Sequence, residues 1–284
     1  LNPVPKSLRR GIRRLRWIAG PIWSGLEFPG SCNSIWYPMR LLLLGTAGYH
    51  PNETRHTACL LIPEQGVMLD AGTATFRAGR YLRTPELDIF LSHAHVDHVV
   101  GLTYLLNVAR MHALERVRVY GEEDKLCAIR EHLLARAVFP AQPPCTWVPL
   151  GQEVPLAAGG RLTWFPLAHQ GGSVGYRLDW PGHAMAYVTD TTADPAAEYV
   201  ERIRGVDLLV HECYFPDARA EWARQTGHSH TTAVAQVART AGVGRLMLVH
   251  LDPLSPEADP IGLDVARAIF PHTELGTDLM AVEF

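Results

Sequence analysis

The sequence predicts an α/β protein in which two β-sheets lie face to face between two layers of helices. Its 284 residues, 47% of them hydrophobic and 19% charged, suit one large domain with a substantial core. Short apolar runs typical of strands come first as neighbouring pairs and later alternate with helical segments. Local pairing followed by alternation is what two sheets between helical layers require.

The first half of this fold is indicated by apolar runs that polar loops separate. A helix is predicted over residues 101–114, because Leu102, Leu105 and Val108 recur at helical spacing. A second helix is expected over residues 122–137. The strands expected in this half are residues 41–45, 58–62, 67–69, 89–91 and 117–120.

The second half begins after a proline-rich connection at residues 140–149. Its strands and helices alternate toward the end of the chain, which favours parallel strands with helical crossovers. The expected strands are residues 161–165, 174–178, 184–188 and 208–210, and the expected helices are residues 196–203 and 231–240.

A dense run of metal-ligand side chains follows the strand expected at residues 89–91. His93, His95, Asp97 and His98 stand within six residues of one another. In extended backbone His93 and His95 point to the same side, so both can reach one metal ion. Asp97 and His98 then turn the other way and can begin a second site. Imidazole with one carboxylate suits zinc first, with iron or manganese as alternatives.

Further candidate ligands follow later hydrophobic runs. A two-metal centre needs about seven or eight protein ligands, more than one loop supplies. His169, Asp190 and His250 each stand just after a short apolar run, and therefore at a predicted strand end. Because strand ends meet at one edge of a sheet-based fold, we expect these side chains to join the first cluster.

The motif His-x-His-x-Asp-His, followed in order by these later ligands, resembles the metallo-β-lactamase-fold hydrolases over residues 39–284, and specifically their ribonuclease Z and phosphodiesterase branch. The resemblance implies an αββα sandwich and a centre of two Zn²⁺ ions, with Mn²⁺ or iron as alternatives. The implied ligands are His93, His95 and His169 on one metal, Asp97, His98 and His250 on the other, and Asp190 between them. It also implies that Asp70 supports the ligands from behind, since a carboxylate orients a ligating imidazole and raises its basicity.

Two later segments resemble the ribonuclease Z branch more closely. Residues 210–215 are similar to its His-Glu-x-x-Phe segment, and residues 227–233 to its Gly-His-Ser-Thr segment, which opens a helix. The likeness implies that Glu212 orients His228, which protonates the leaving oxygen of a phosphodiester. An imidazolium held by a carboxylate is a suitable general acid. His230 is the alternative to His228, because the motif also fits two residues later.

The predicted activity is hydrolysis of a phosphodiester by a hydroxide that bridges the two metals. The predicted catalytic residues are Asp97, Glu212 and His228. Ribonuclease Z proper carries an inserted arm that grips transfer RNA, but here only about a dozen residues separate Tyr176 from Asp190. Residues 70–75 also depart from the branch's Asp-Cys-Gly-Glu-Gly-Thr. These departures favour a small or cyclic phosphodiester as substrate, with RNA still among the candidates.

Other functional classes share the same ligands. A lactonase or thioesterase would attack a carbonyl and would not need the pair Glu212 and His228. A mono-iron persulfide dioxygenase would use one metal and give that pair no role. A non-catalytic binding module is disfavoured, because the ligand set is complete. Fold alone does not decide among these classes.

Charge and cysteine content limit which binding partners and which cellular compartment are expected. The formal net charge of −3 excludes a strong positive field for nonspecific nucleic-acid binding. Five cysteines, an odd number with no Cys-x-x-Cys pair, argue for a reducing compartment, so we expect a cytoplasmic protein. No segment is long and apolar enough to span a membrane, so no membrane partner is expected. A homodimer is an alternative to a monomer.

Residues 1–38 differ from the rest of the chain. They contain six lysine and arginine residues between Lys6 and Arg16, and Glu27 is their only acid. One interpretation is a translated region upstream of a native start at Met39, outside the native fold. A second is a basic arm that touches an anionic surface. A secretory signal is disfavoured, because no apolar stretch of about 7–15 residues follows the charges.

Overall fold

The computed structural model describes residues 39–255 and 257–284. The predicted basic extension, residues 1–38, lies outside the described residues. Among the described residues, no helix combines the length and the apolar character needed to cross a membrane.

The first sheet has seven strands, in the order β14-β1-β2-β3-β4-β5-β6. Strands β3 to β6 run parallel, and the remaining pairs are antiparallel. Its strands are β1 (Arg40–Gly45), β2 (Cys59–Ile62), β3 (Val67–Leu69), β4 (Glu86–Phe90), β5 (Arg116–Gly121), β6 (Thr146–Pro149) and β14 (Ala281–Glu283).

The second sheet also has seven strands, in the order β13-β12-β11-β10-β9-β8-β7. Strands β10 to β13 are parallel, whereas β7 to β10 form an antiparallel meander. Its strands are β7 (Glu153–Pro155), β8 (Arg161–Leu167), β9 (Ser173–Trp180), β10 (His183–Val188), β11 (Leu208–Glu212), β12 (Arg245–Val249) and β13 (Thr273–Leu275).

The helices are short, and residues from several of them pack on the outer faces of the two sheets. The α-helices are α1 (Ala78–Tyr81), α2 (Val96–Val99), α3 (Leu105–His112), α4 (Glu123–Ala128), α5 (Tyr199–Arg202), α6 (Ala220–Thr226), α7 (Thr231–Ala241) and α8 (Leu263–Ile269). Single turns of 3₁₀-helix occupy Thr73–Arg77, Val100–Tyr104, Ala157–Gly159 and Asp217–Arg219, and a π-helical turn occupies Ile129–Leu133.

Alternation along the strands builds the four layers. In β1, Leu41 and Leu43 point into the core between the two sheets, whereas Leu42 and Leu44 pack with the helices outside the first sheet. In β12, Met247 faces the inter-sheet core. Because successive side chains of a strand point to opposite faces, a fully apolar strand here is buried on both sides. The predicted α/β sandwich with an αββα layer order is confirmed.

The prediction of an α-helix over residues 101–114 is wrong for the first part of this range. Val100–Tyr104 forms a tighter 3₁₀ turn, and the α-helix begins only at Leu105. Gly101 passes so close to the loop after β3 that a Cβ at this position would lie 2.1 Å from the carbonyl oxygen of Gly72. This close backbone approach sets the local geometry, and apolar periodicity does not report it.

Candidate metal centre

The carboxyl ends of strands from both sheets meet at one edge of the sandwich. Parallel strands within each sheet place their last residues side by side, and the loops that follow carry the predicted ligands. Asp70 follows β3, the run from His93 to His98 follows β4, His169 follows β8, Asp190 follows β10, and His250 follows β12.

The first group of candidate ligands consists of His93, His95, His169 and Asp190, whose ligand atoms all lie within 4.8 Å of one another. The Oδ2 atom of Asp190 lies 3.6 Å from Nε2 of His93 and 3.5 Å from Nε2 of His169. His95 turns its Nδ1 atom inward, 3.4 Å from Nε2 of His169. Three imidazoles and one carboxylate oxygen thus surround a single point.

The second group consists of Asp97, His98 and His250, again within 4.8 Å of one another. The Nε2 atoms of the two histidines are 3.0 Å apart, and Oδ2 of Asp97 lies 3.3 Å and 3.4 Å from them. The Oδ1 atom of Asp190 lies 3.2 Å from each of these nitrogens. The two oxygens of Asp190 therefore face different groups, as a bridging carboxylate requires.

Contacts behind the imidazoles turn their inner nitrogens toward the cluster. His98 donates from Nδ1 to Oδ2 of Asp70 at 2.8 Å, and His169 donates from Nδ1 to the carbonyl oxygen of Gly227 at 2.9 Å. The hydroxyl of Ser92 lies 2.9 Å from Nδ1 of His93. A hydrogen bond at one ring nitrogen fixes the tautomer, and so leaves the lone pair of the other nitrogen free to bind a metal.

The charges and unsatisfied atoms of the cluster fit divalent cations. Within residues 39–255 and 257–284, no lysine or arginine forms an ion pair with Asp70, Asp97 or Asp190. The Nε2 atom of His93 is buried without a hydrogen-bond partner, and burial lowers the pKa of this imidazole, which favours the neutral form that binds metals. Buried carboxylates need a compensating charge, and this mixed imidazole and carboxylate set suits zinc.

Three residues of the cluster have left-handed backbone conformations. Asp70, Asp190 and His250 have φ values of 57°, 40° and 56°. Non-glycine residues adopt this region rarely, although aspartate and histidine tolerate it best. Such strained residues concentrate at functional sites, where the surrounding structure holds them in place.

Glu212 and His228 form a hydrogen-bonded pair beside the cluster. Glu212 ends β11 and is fully buried, and its Oε1 atom accepts from Nδ1 of His228 at 3.2 Å and from the Thr191 amide at 2.8 Å. Burial lowers the pKa of His228, but the Glu212 carboxylate outweighs burial and raises this pKa to about 9. Burial in turn raises the pKa of Glu212, and His228 holds it below its usual value. The ring of His228 stacks on Tyr214, with centroids 4.7 Å apart.

His230, the alternative to His228, has a different partner. It stands at the start of α7, and its Nδ1 atom donates to Oδ1 of Asp217 at 2.7 Å. His211 lies fully buried on β11, with its ring between the hydroxyl of Tyr199 and the carbonyl oxygen of Glu212. Of the two candidates at the start of α7, the structure thus places His228 and not His230 on Glu212.

A cavity of about 440 Å³ opens onto the cluster. His95 and His228 line it together with Tyr49, Val96 and Thr226. Its volume is typical of sites for small ligands, which occupy about 300–1,000 Å³. Larger cavities beside Cys127 and Phe76 have volumes of about 520 and 580 Å³. No group of candidate metal ligands among the described residues lies in either of them, whereas His95, Asp97 and His169 line the cavity of about 440 Å³.

Several contacts of the site have no clear signal in the sequence. The hydroxyl of Tyr187 donates to Asp70 at 2.9 Å across a separation of 117 residues. The Ser92 amide and hydroxyl both donate to the same carboxylate, at 2.7 and 2.9 Å. The position of Ser92 directly before His93 is a signal that could have suggested a supporting role. Tyr187 offers no such signal, because its apolar sequence neighbours resemble those of any core tyrosine.

Known proteins resemble this chain in sequence and in fold. The family model described as "Beta-lactamase superfamily domain" matches residues 66–251. Ribonuclease Z of Kineococcus radiotolerans is 28% identical over 293 residues, which cover 84% of this chain and 90% of that protein. Ribonuclease Z of Synechococcus sp. strain CC9605 is 28% identical over 323 residues, which cover 86% of this chain and 98% of that protein.

Solved structures share the fold at lower sequence identity. The metallo-β-lactamase-fold protein YhfI of Bacillus subtilis superposes with a TM-score of 0.72 at 20% identity, covering 87% of this chain and all of that one (100%). The short form of human tRNase Z superposes with a TM-score of 0.66 at 20% identity, covering 86% of this chain and 98% of that one.

The ribonuclease Z relatives, together with the αββα fold and the histidine and aspartate cluster, identify a metal-dependent hydrolase. The chain belongs to the β-lactamase superfamily, and the two curated relatives described above are ribonuclease Z proteins. The family and the enzyme class predicted from the sequence are thereby confirmed.

Proposed function

We propose that this chain is a dinuclear phosphodiesterase that acts on a small, cyclic or RNA-like phosphodiester. The observation that carries the proposal is the pair Glu212 and His228 at the edge of the metal-ligand cluster. Phosphodiester cleavage expels an alkoxide, which needs a proton, and a histidine held by a buried carboxylate can supply it. Opening a lactone or thioester at the same ligands gives this pair no necessary role.

We divide the candidate ligands between two metal ions. The first ion, Zn²⁺ in our proposal, would be held by His93, His95 and His169, the second by Asp97, His98 and His250, with Asp190 shared between them. Ions of this kind, when bound, supply an acidified water molecule and offset negative charge on phosphate oxygens. Asp70 holds the proton of His98 on Nδ1 and so keeps Nε2 available as a ligand.

His228 carries the proposed proton transfer. His228 also forms a group of possible metal ligands with Asp190 and His250, within 4.8 Å of one another. Because its Nδ1 atom is engaged by Glu212, we propose that its Nε2 atom serves a substrate in the cavity that His228 lines. Glu212 is fixed in turn by the amides of Thr191 and Ser229, at 2.8 and 3.3 Å. This rigid support holds the imidazole in one orientation, which general acid catalysis requires.

The connection between β9 and β10 supports a small substrate. These strands are joined by the two residues Pro181 and Gly182. By the resemblance described from the sequence, ribonuclease Z proper carries its transfer-RNA-binding arm near this place. We therefore favour small or cyclic diesters over transfer RNA, and keep RNA as a second candidate. We also propose a cytoplasmic location, since the described cysteines Cys59, Cys127, Cys145 and Cys213 are free thiols.

The first test combines metal content with one substitution. We expect about two metal ions per chain, hydrolysis of bis-p-nitrophenyl phosphate, and loss of this activity with a chelator. For a 2′,3′-cyclic nucleotide, which expels an alkoxide, His228→Ala should lower kcat about 10²- to 10⁴-fold, the usual contribution of a general acid. It should slow bis-p-nitrophenyl phosphate hydrolysis far less, because the nitrophenolate leaves without a proton. His230→Ala is the matched control and should stay within a few fold of wild type. One iron per chain, or lactone hydrolysis that ignores His228→Ala, would move the protein to the dioxygenase or lactonase class.

A further inference from the structure

Tyr49 combines exposure, backbone strain and a position at the metal-ligand cluster. Its φ is 58°, in the left-handed region, and its side chain is 74% exposed. Its backbone amide donates to Oδ2 of Asp97 at 2.8 Å, and its side chain lines the same cavity as His95 and His228. An aromatic residue in this backbone region is an outlier that calls for an explanation.

The contacts within the folded chain do not explain why position 49 carries a large aromatic side chain. Among the described residues, the only ring close to it is that of His50, with centroids 5.4 Å apart and planes tilted by 60°. The hydrogen bond to Asp97 uses the backbone amide, which glycine would supply without strain. The preceding residue differs, because a Cβ on Gly48 would lie 2.4 Å from Cε1 of His250. The fold therefore requires a glycine at position 48 but no large side chain at position 49.

We propose that the ring of Tyr49 is a specificity determinant that stacks on a planar ring of the substrate, a nucleobase or an aryl group carried by the diester. The inference rests on the proposed function and deepens it. An exposed aromatic face beside a phosphate-binding centre suits a base, because every nucleobase offers a π-face and stacking needs no particular hydrogen bonds. Tyr49 belongs to the mouth of the cavity, so a ring joined to the phosphate through a short linkage falls within its reach.

A pair of product-like probes isolates the base from the phosphate and the sugar. Adenosine 5′-monophosphate and ribose 5-phosphate are compared as competitive inhibitors of bis-p-nitrophenyl phosphate hydrolysis by the metal-loaded full chain. We expect wild type to prefer the nucleotide. Tyr49→Gly should reduce this preference about 5- to 100-fold, the range that base stacking on an aromatic side chain covers. Tyr49→Phe keeps the ring and should keep the preference.

Ala113 provides a matched control for the backbone. It is exposed, has a φ of 52°, and lies at the end of α3 away from the cavity. Ala113→Gly relieves the same kind of strain and should leave the preference at the wild-type value. Melting temperatures of both glycine variants should stay near that of wild type, because relief of strain offsets the greater freedom of the unfolded chain.

Three results would overturn the inference: no preference for the nucleotide over ribose 5-phosphate in wild type, an unchanged preference in Tyr49→Gly, or a strongly lowered melting temperature of Tyr49→Gly, which would assign the ring to folding. If wild type hydrolyses no diester, the proposed function fails. The two probes are then compared by calorimetric titration of the metal-loaded protein and its Tyr49→Gly variant, and a base preference lost in the variant still supports stacking.

Discussion

Replacement of Asp70 by asparagine is expected to weaken metal binding through a change in the tautomer of His98. The carboxylate of Asp70 is fully buried and accepts hydrogen bonds from His98, Tyr187, and the amide and hydroxyl of Ser92. An asparagine amide that keeps the bond from the Ser92 amide turns its NH₂ group toward Nδ1 of His98. Two donors would then face each other, so the proton of His98 moves to Nε2, the atom that points into the cluster.

The magnitude follows from the bonds that change. The charge-assisted bond from His98, worth about 1.5–3 kcal/mol, is exchanged for a neutral one worth about 0.5–1.5 kcal/mol. The difference, about 1–1.5 kcal/mol of folding stability, lowers the melting temperature of the metal-free protein by about 2–4 °C per kcal/mol for a domain of this size. Metal affinity at the group of Asp97, His98 and His250 should fall about 10- to 100-fold, as is usual when a contact behind a ligating histidine is removed.

Zinc affinity measured by competition with a chromophoric chelator tests this reasoning. Asp278→Asn is a matched control, because Asp278 is also a largely buried carboxylate with several donors, among them Thr46 and Arg77, and it touches none of the proposed ligands. It should lower the melting temperature and leave zinc affinity unchanged. Wild-type zinc affinity in a destabilised Asp70→Asn protein would refute the tautomer argument, as would an equal loss of affinity in the control.

Two further predictions concern packing against the cluster and the start of a helix. Gly48→Ala places a methyl group 2.4 Å from the ring of His250 and should lower both bound metal and diester hydrolysis, whereas Gly151→Ala, with its nearest neighbour at 3.7 Å, should change neither in the same assays. Asp217→Ala removes the acceptor of the Thr232 amide in the first turn of α7 and should cost about 1 kcal/mol in urea unfolding at pH 7. Burial raises the pKa of Asp217, but its hydrogen bonds lower it overall, so this stabilisation is present above the unfolded-state pKa of about 3.9 and is lost as the pH falls through the lower folded-state value. A stability difference that does not shrink as the pH falls from 7 to 2 would contradict this assignment.

Much of the fold could be predicted because its strands encode their surroundings locally. The run from Leu41 to Leu44 is apolar at every position, which indicates a strand buried on both faces. The helices were harder to predict: residues 122–137 suggested one helix, but α4 ends at Ala128 and a π-helical turn follows at Ile129–Leu133. Such changes of helical pitch depend on how neighbouring segments pack, and apolar spacing does not record them.

The sequence by itself determined which side chains form the candidate metal centre. The motif His-x-His-x-Asp-His and the ligands just after apolar runs are local features, and the strand ends that carry them meet at one edge of the fold. Only the tertiary structure decided the contacts between remote segments. It placed His228 rather than His230 on Glu212, turned the two oxygens of Asp190 toward different groups, and brought Tyr187 to Asp70. These contacts join residues from separate strands and loops, so they follow from the packing of the two sheets against each other and not from any local spacing.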